Sequence, residues 1–171
     1  MREVPQPKKP DDTAYINSLE GRDKEIFKIY EEISESSNES KLIDVVTSGL
    51  IGPNDTNREG QTPLMFAVDS NFSTKAIEKL IELGCDVNAQ GEDGMTPLHK
   101  SIWCENKENF KKLLSKGADL DIKDEEGESC RDLVDDNPSF KTAIEDVFGP
   151  DLAKSMSKSQ VENSEMNVSQ Q

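Results

Sequence analysis

Apolar residues along this chain fall into short helical groups separated by polar segments that carry glycine. Leu42, Val45 and Val46 share the i, i+3, i+4 spacing of one helical face, and the same spacing recurs in Ile77, Leu80 and Ile81, in Phe110, Leu113 and Leu114, and in Ile144, Val147 and Phe148. The groups follow one another at 35, 33 and 34 residues. A second signal precedes the later groups at the same pitch. Gly60-Gln61-Thr62-Pro63-Leu64-Met65-Phe66-Ala67 matches Gly94-Met95-Thr96-Pro97-Leu98-His99-Lys100-Ser101, and a weaker copy follows in Gly127-Glu128-Ser129-Cys130-Arg131-Asp132-Leu133-Val134. Each unit therefore predicts two helices. Thr62-Pro63 and Thr96-Pro97 open first helices, because the hydroxyl accepts from an orphan N–H and Pro has no N–H to leave unpaired. Gly49, Gly84, Gly117 and Gly149 stand where second helices end. The polar runs Asn54 to Glu59, Gln90 to Asp93 and Asp124 to Glu126 predict hairpin-type connections into the next glycine. The first unit lacks the Thr-Pro text. Its helical pattern runs through Ile26, Ile29, Tyr30 and Ile33, and a polar loop is expected from Ser34 to Ser40.

These residues carry a family resemblance. Gly-x-Thr-Pro-Leu-His-x-x, then an apolar triplet, then Gly84-Cys85-Asp86-Val87-Asn88-Ala89 or Gly117-Ala118-Asp119-Leu120-Asp121, resembles the ankyrin repeat. The resemblance implies an all-α solenoid of stacked helix-turn-helix units with hairpin-like connections. It covers about four repeats, at 23–56, 57–90, 91–123 and 124–149, the two central ones well kept, within an array spanning 13–149. The tails at 1–12 and 150–171 lack an apolar face and are expected to be disordered; residues 13–22 suit either a loop or the start of a helix. The departures from the family pattern are informative. Met65 replaces the usual His, which puts that repeat's polar contact to its neighbour in doubt, and one extra residue falls between Asp69 and Thr74. In the last unit Arg131 and Asp132 replace the usual Leu and His, as suits a capping helix open to water, so no further repeat is expected to follow.

Composition narrows the picture. The 171 residues carry 35 acids and 20 bases for a formal charge of -15, with only 33% hydrophobic residues, so a core forms only if periodicity concentrates them. Segments 1–12 and 150–171 hold 6 of the acids and 5 of the bases, leaving the excess on the array. Such a charge disfavours direct binding to nucleic acid or to a membrane surface. No run of apolar residues is long enough for a span, and the N-terminal residues lack the apolar stretch of a signal peptide, so a cytoplasmic or nuclear place is expected. Cys85, Cys104 and Cys130 form no metal or disulfide pattern and are expected to be reduced packing residues.

Chemistry is hard to find in this sequence. His99 could serve as a general base, but in its Thr-Pro-Leu-His setting it resembles the family's structural histidine. Asp86-x-Asn88 and Asp119-x-Asp121 hint at a calcium loop, yet the twelfth positions are Pro97 and Cys130, which cannot close the cage. Asn38-Glu39-Ser40 and Asn71-Phe72-Ser73 fit the glycosylation pattern, and Ser159-Gln160 and Ser36 to Glu39 could be kinase sites; motifs this short occur by chance. No catalysis, cofactor or metal is expected. What the resemblance implies instead is a groove for a protein partner. Its tips would present Arg58, Glu59, Glu92, Asp93, Glu125 and Glu126, its post-glycine positions Gln61, Met95 and Glu128, and the ends of its first helices Asp69 and Ser70, then Trp103 and Cys104. The lone Trp103 is either a partner anchor or a residue packed on a neighbouring helix. The expected function is a monomeric adaptor, regulator or assembly factor with a basic protein partner. The alternative is an escort for a strongly basic client such as a ribosomal protein or histone.

Overall fold

The computed structural model describes residues 21–135 and 137–150; the tails expected at 1–12 and 150–171 lie outside these, Pro150 apart, as do residues 13–20. Among the described residues eight helices form: α1 (Gly21–Ser36), α2 (Glu39–Thr47), α3 (Pro63–Asp69), α4 (Thr74–Glu82), α5 (Pro97–Trp103), α6 (Lys107–Ser115), α7 (Cys130–Asp135) and α8 (Pro138–Phe148). They pair in chain order. Helices α3, α5 and α7 stack side by side as one layer, and α2, α4, α6 and α8 as a second, with α1 against α2.

Local chemistry sets these boundaries. Thr62 and Thr96 are extended N-caps that accept from the N–H of Met65 and His99, with proline at the first helical turn. Gly49, Gly84 and Gly117 follow the second helices at φ 74°, 97° and 90°, as expected of helix-ending glycines. The loop expected from Ser34 to Ser40 does not form. Ser36 Oγ donates to the carbonyl of Glu32 at 2.6 Å at the end of α1. Asn38 then caps α2 by accepting from Lys41 N–H at 3.1 Å, so only Ser37 and Asn38 separate the helices.

The extra residue expected near Asp69 to Thr74 lies between α3 and α4. Four residues, Ser70 to Ser73, join these helices, against three, Cys104 to Asn106, between α5 and α6. In the shorter link Asn106 both donates its N–H to Ser101 O and caps α6. In the longer one Phe72 makes the backbone bond to Ala67 O and Ser73 makes the cap. The added position frees Phe72 to be buried.

The helical triplets form one continuous core. Leu42, Ile77, Leu80, Phe110, Leu113, Leu114 and Ile144 are buried with Leu64 and Leu98 from the first layer, while Ile81, Val147 and Phe148 pack partly buried at its edge. Burying each such side chain contributes about 1.5–3 kcal/mol. Edge-on aromatic pairs join successive units: Tyr30 on Phe66 and Phe110 on Phe140, each at 4.9 Å between ring centroids.

Hairpin-like turns connect the units. Asn57, Gly91 and Asp124 each donate N–H across a turn, to the carbonyls of Gln61, Met95 and Glu128, at 2.9–3.0 Å. Gly60, Gly94 and Gly127 close these turns at φ 67°, 70° and 81°. The turns also stack. A Cβ on Gly60 would meet the backbone N of Glu92 at 2.8 Å, and one on Gly94 that of Glu125 at 2.7 Å, whereas nothing lies within 4 Å at Gly127. Left-handed backbone costs a side chain about 1–2 kcal/mol, which Gly94→Ala and Gly127→Ala share. Gly94→Ala must also push back the next turn, so its total loss is expected to reach about 2–4 kcal/mol. Urea unfolding of the two variants checks this difference; equal losses would remove turn stacking as a cause.

Candidate functional site

Polar side chains that join the units come first, because a group already used inside the array is not free to bind anything. Asn54 accepts from Asp86 N–H at 2.8 Å and donates to Gly84 O at 3.4 Å; one repeat later Asn88 accepts from Asp119 N–H at 2.9 Å and donates to Gly117 O at 3.4 Å. An amide serves here because it both donates and accepts. Asn88, half of the apparent calcium motif, thus has a structural task. One repeat further on the corresponding residue is Asp121, which instead takes a bidentate Arg131 from the last unit at 2.5 and 2.8 Å. The guanidinium holds the Asp121 carboxyl below its usual range. Arg131 is therefore half-buried and paired, and Asp132 closes a capping box by accepting from Ser129 N–H and Oγ–H.

His99 is fully buried. Its Nδ1 accepts from Thr96 N–H at 3.2 Å, leaving Nε2–H to donate to Glu128 O at 3.3 Å in the following turn. Met65 occupies the equivalent place and is also fully buried, its sulfur 3.5 Å from where a Cβ on Gly91 would lie. The doubtful polar contact is thus replaced by an apolar one, and Met95 O, the equivalent acceptor, is already bonded to Gly91 N–H.

The expected surface residues divide into two sets. Gln61 is a correction: it is buried, with only 7% of its surface exposed, and donates Nε2–H to Asp69 Oδ2 at 3.2 Å, so it braces the turn against the end of α3. Arg58 is half-buried, its guanidinium 5.3 Å from the centre of the Phe27 ring of α1. Asp93 is half-buried and paired with Lys100 at 2.7 Å, and it accepts from Met95 N–H. Met95 and Ser70 are half-buried as well. Asp93 reaches forward to α5 and Arg58 back to α1, contacts that repeat spacing does not reveal.

The second set stands out in water. Glu59, Glu92, Glu125, Glu126 and Glu128 are exposed, and none of their carboxylates has an ion-pair partner among the described residues. Asp69 is exposed at the end of α3. Trp103, at the end of α5, is 66% exposed. On the second-layer face several bases are matched to acids, Lys112 and Lys116 to Glu78 and Lys111 to Asp146, while Lys75 and Lys107 are exposed. Lys100 is the residue that the sequence pattern missed, since nothing in the repeat marks it as the partner of Asp93.

No reactive centre is assembled around these residues. Burial pushes the Cys85 thiol up to about 12, and burial with Asp69 alongside pushes Cys104 up to about 11. Neither is a ready nucleophile. No group of three metal-ligating side chains occurs among the described residues, and no described helix is long and apolar enough to cross a membrane.

Comparison with known proteins agrees with this architecture. The family described as ankyrin repeats (3 copies) matches residues 35–124. The chain is similar to BRCA1-associated RING domain protein 1 of Caenorhabditis elegans, 34% identical over 88 residues, which are 51% of this chain and 12% of that protein. It is likewise similar to human SH3 and multiple ankyrin repeat domains protein 2, 35% identical over 91 residues, 51% of this chain and 5% of the relative. Mouse protein phosphatase 1 regulatory subunit 27 is 32% identical over 71 residues, 42% of this chain and 45% of that one. The chain thus spans less than half the length of each of these relatives.

The buried imidazole gives the array an acid sensitivity. Desolvation lowers the His99 pKa below its ordinary value of 6.5, against the raising influence of Glu128 O, Asp124 and Asp93. The folded state therefore binds fewer protons than the unfolded one just below that pH. The stability from a neutral His99 is complete above pH 6.5 and is lost as pH falls towards the folded value. Urea midpoints at pH 7.5 and 5.5 are expected to differ more for the native chain than for His99→Gln; equal differences would assign the sensitivity to other groups.

Proposed function

The chain belongs to the ankyrin-repeat family, and from that premise we propose that it is a non-enzymatic adaptor, regulator or assembly factor that binds a basic protein partner along its turn tips and first-layer helix ends. Ankyrin repeats indicate a protein–protein interaction module. The finer reading rests on one observation: five carboxylates along the turn edge have no ion-pair partner among the described residues, while Lys100 and Arg131, the bases of the neighbouring helices, are tied to Asp93 and Asp121. Exposed carboxylates outnumber the bases along that edge, where Lys123 is also exposed, so its field is predominantly negative and favours encounter with an opposite charge. A relative named as a regulatory subunit supports the regulator part of the reading. The three free thiols suit a reducing compartment, and a cytoplasmic or nuclear place belongs to the proposal.

Steering of this kind acts on association more than on dissociation. With the partner recovered on the immobilised full chain and identified, replacing Glu92, Glu125, Glu126 and Glu128 together by Gln is expected to slow association about tenfold at low salt, with dissociation little changed. The native on-rate is expected to fall towards that of the variant as ionic strength approaches 0.15 M, where screening acts over about 8 Å. A salt-independent on-rate, equal in both proteins, would overturn the basic partner.

A further inference from the structure

Trp103 is the single large hydrophobic residue that stands exposed among the described residues. It is the last residue of α5, which lies between α3, ending in Asp69, and α7, ending in Asp135. Both aspartates are exposed, Asp69 bonded to Gln61 and Asp135 shared with Lys141 at 3.3 Å. All three helices also turn their carbonyl ends this way, and carbonyl ends favour cations. Lys100, one turn back on α5, is the cation best placed to cover the ring from within, but Asp93 holds it at 2.7 Å. The chain shows the pairing elsewhere, in Arg58 over Phe27. Tryptophan presents the stronger π face of the two, and Arg is the commoner cation on such faces.

We infer that Trp103 is the seat for an arginine side chain of the partner, whose guanidinium lies on the indole face and hydrogen-bonds the Asp69 carboxylate. The inference rests on the binding reading above and names the chemistry of its occupant. An apolar anchor fits less well, since the helices on either side end in the exposed Asp69 and Asp135 and not in apolar residues. One aromatic ring without a second facing it does not make a cage for a methylated ammonium, which cannot use the carboxylate's full acceptor capacity either.

Trp103 is the chain's only tryptophan, so its fluorescence reports this site alone. The full chain is titrated with an unstructured peptide of alternating arginine and glycine, and with its citrulline counterpart, which keeps the shape and removes the charge. The arginine peptide is expected to shift Trp103 emission saturably, and the citrulline peptide to leave it unmoved. By anisotropy of labelled arginine peptide, Trp103→Ala is expected to bind at least tenfold more weakly, Asp69→Asn about threefold, and Trp103→Phe to retain most of the affinity. Far-UV circular dichroism should be unchanged in Trp103→Ala, whose side chain is exposed. Emission that does not move, or that moves equally with both peptides, overturns the arginine seat. If the recovered protein partner binds Trp103→Ala as tightly as the native chain but the Gln variant slowly, the seat fails and the wider binding reading stands. If the Gln variant too associates as fast as the native chain, the basic partner fails with it.

Discussion

Helices of seven to nine residues do not hold by themselves in water, and α2 through α6 are all that short. Each depends on a neighbour to cover its apolar face, and that dependence organises everything else in the molecule. A pair such as α3 and α4 covers only part of its own surface, so Leu64, Ile77 and Leu80 are completed by Leu98 and Phe110 of the next pair. Burial propagates along the stack by nearest-neighbour contact. The chain's low hydrophobic content suffices because almost every apolar group in the repeats is spent at these seams.

Polar groups follow the same logic. Asn54 and Asn88 each reach across a seam to a backbone N–H and C=O that would otherwise lack partners, and His99 adds a second bond to Glu128 O from the first layer. At the last seam, between α6 and α8, the chemistry changes. Asp121 replaces the bridging amide and turns to Arg131, while Ser129 and Asp132 satisfy each other.

The proposed binding surface is what this internal use leaves over. Side chains at the seams are consumed by stacking, and the second-layer lysines are largely matched to acids. Unmatched charge is left on the turn tips, where Glu92 and Glu125 project from turns that glycine allows to approach closely. Trp103 belongs to the same remainder. It stands at the end of α5 with most of its surface exposed. Recognition and stability are therefore separable here, because substitutions at these tips do not touch the core.

The sequence by itself determined the repeat, the pairing of helices, their caps and their terminating glycines, because these depend on residues close together in the chain and recur at a fixed pitch. Tyr30, Ile33 and the triplets showed the core in the same way. Other features were decided only in three dimensions. That Gln61 turns inward to Asp69, that Arg58 rests on Phe27, and that Asp93 holds Lys100 depend on how turns fold back onto helices. The short link at Ser37 and Asn38 needed the cap on α2, and the exposure of Trp103 needed α3 and α7 in place beside α5. Spacing along the chain says which face of a helix a residue occupies. Only the packed neighbour decides whether that face is covered, and by what.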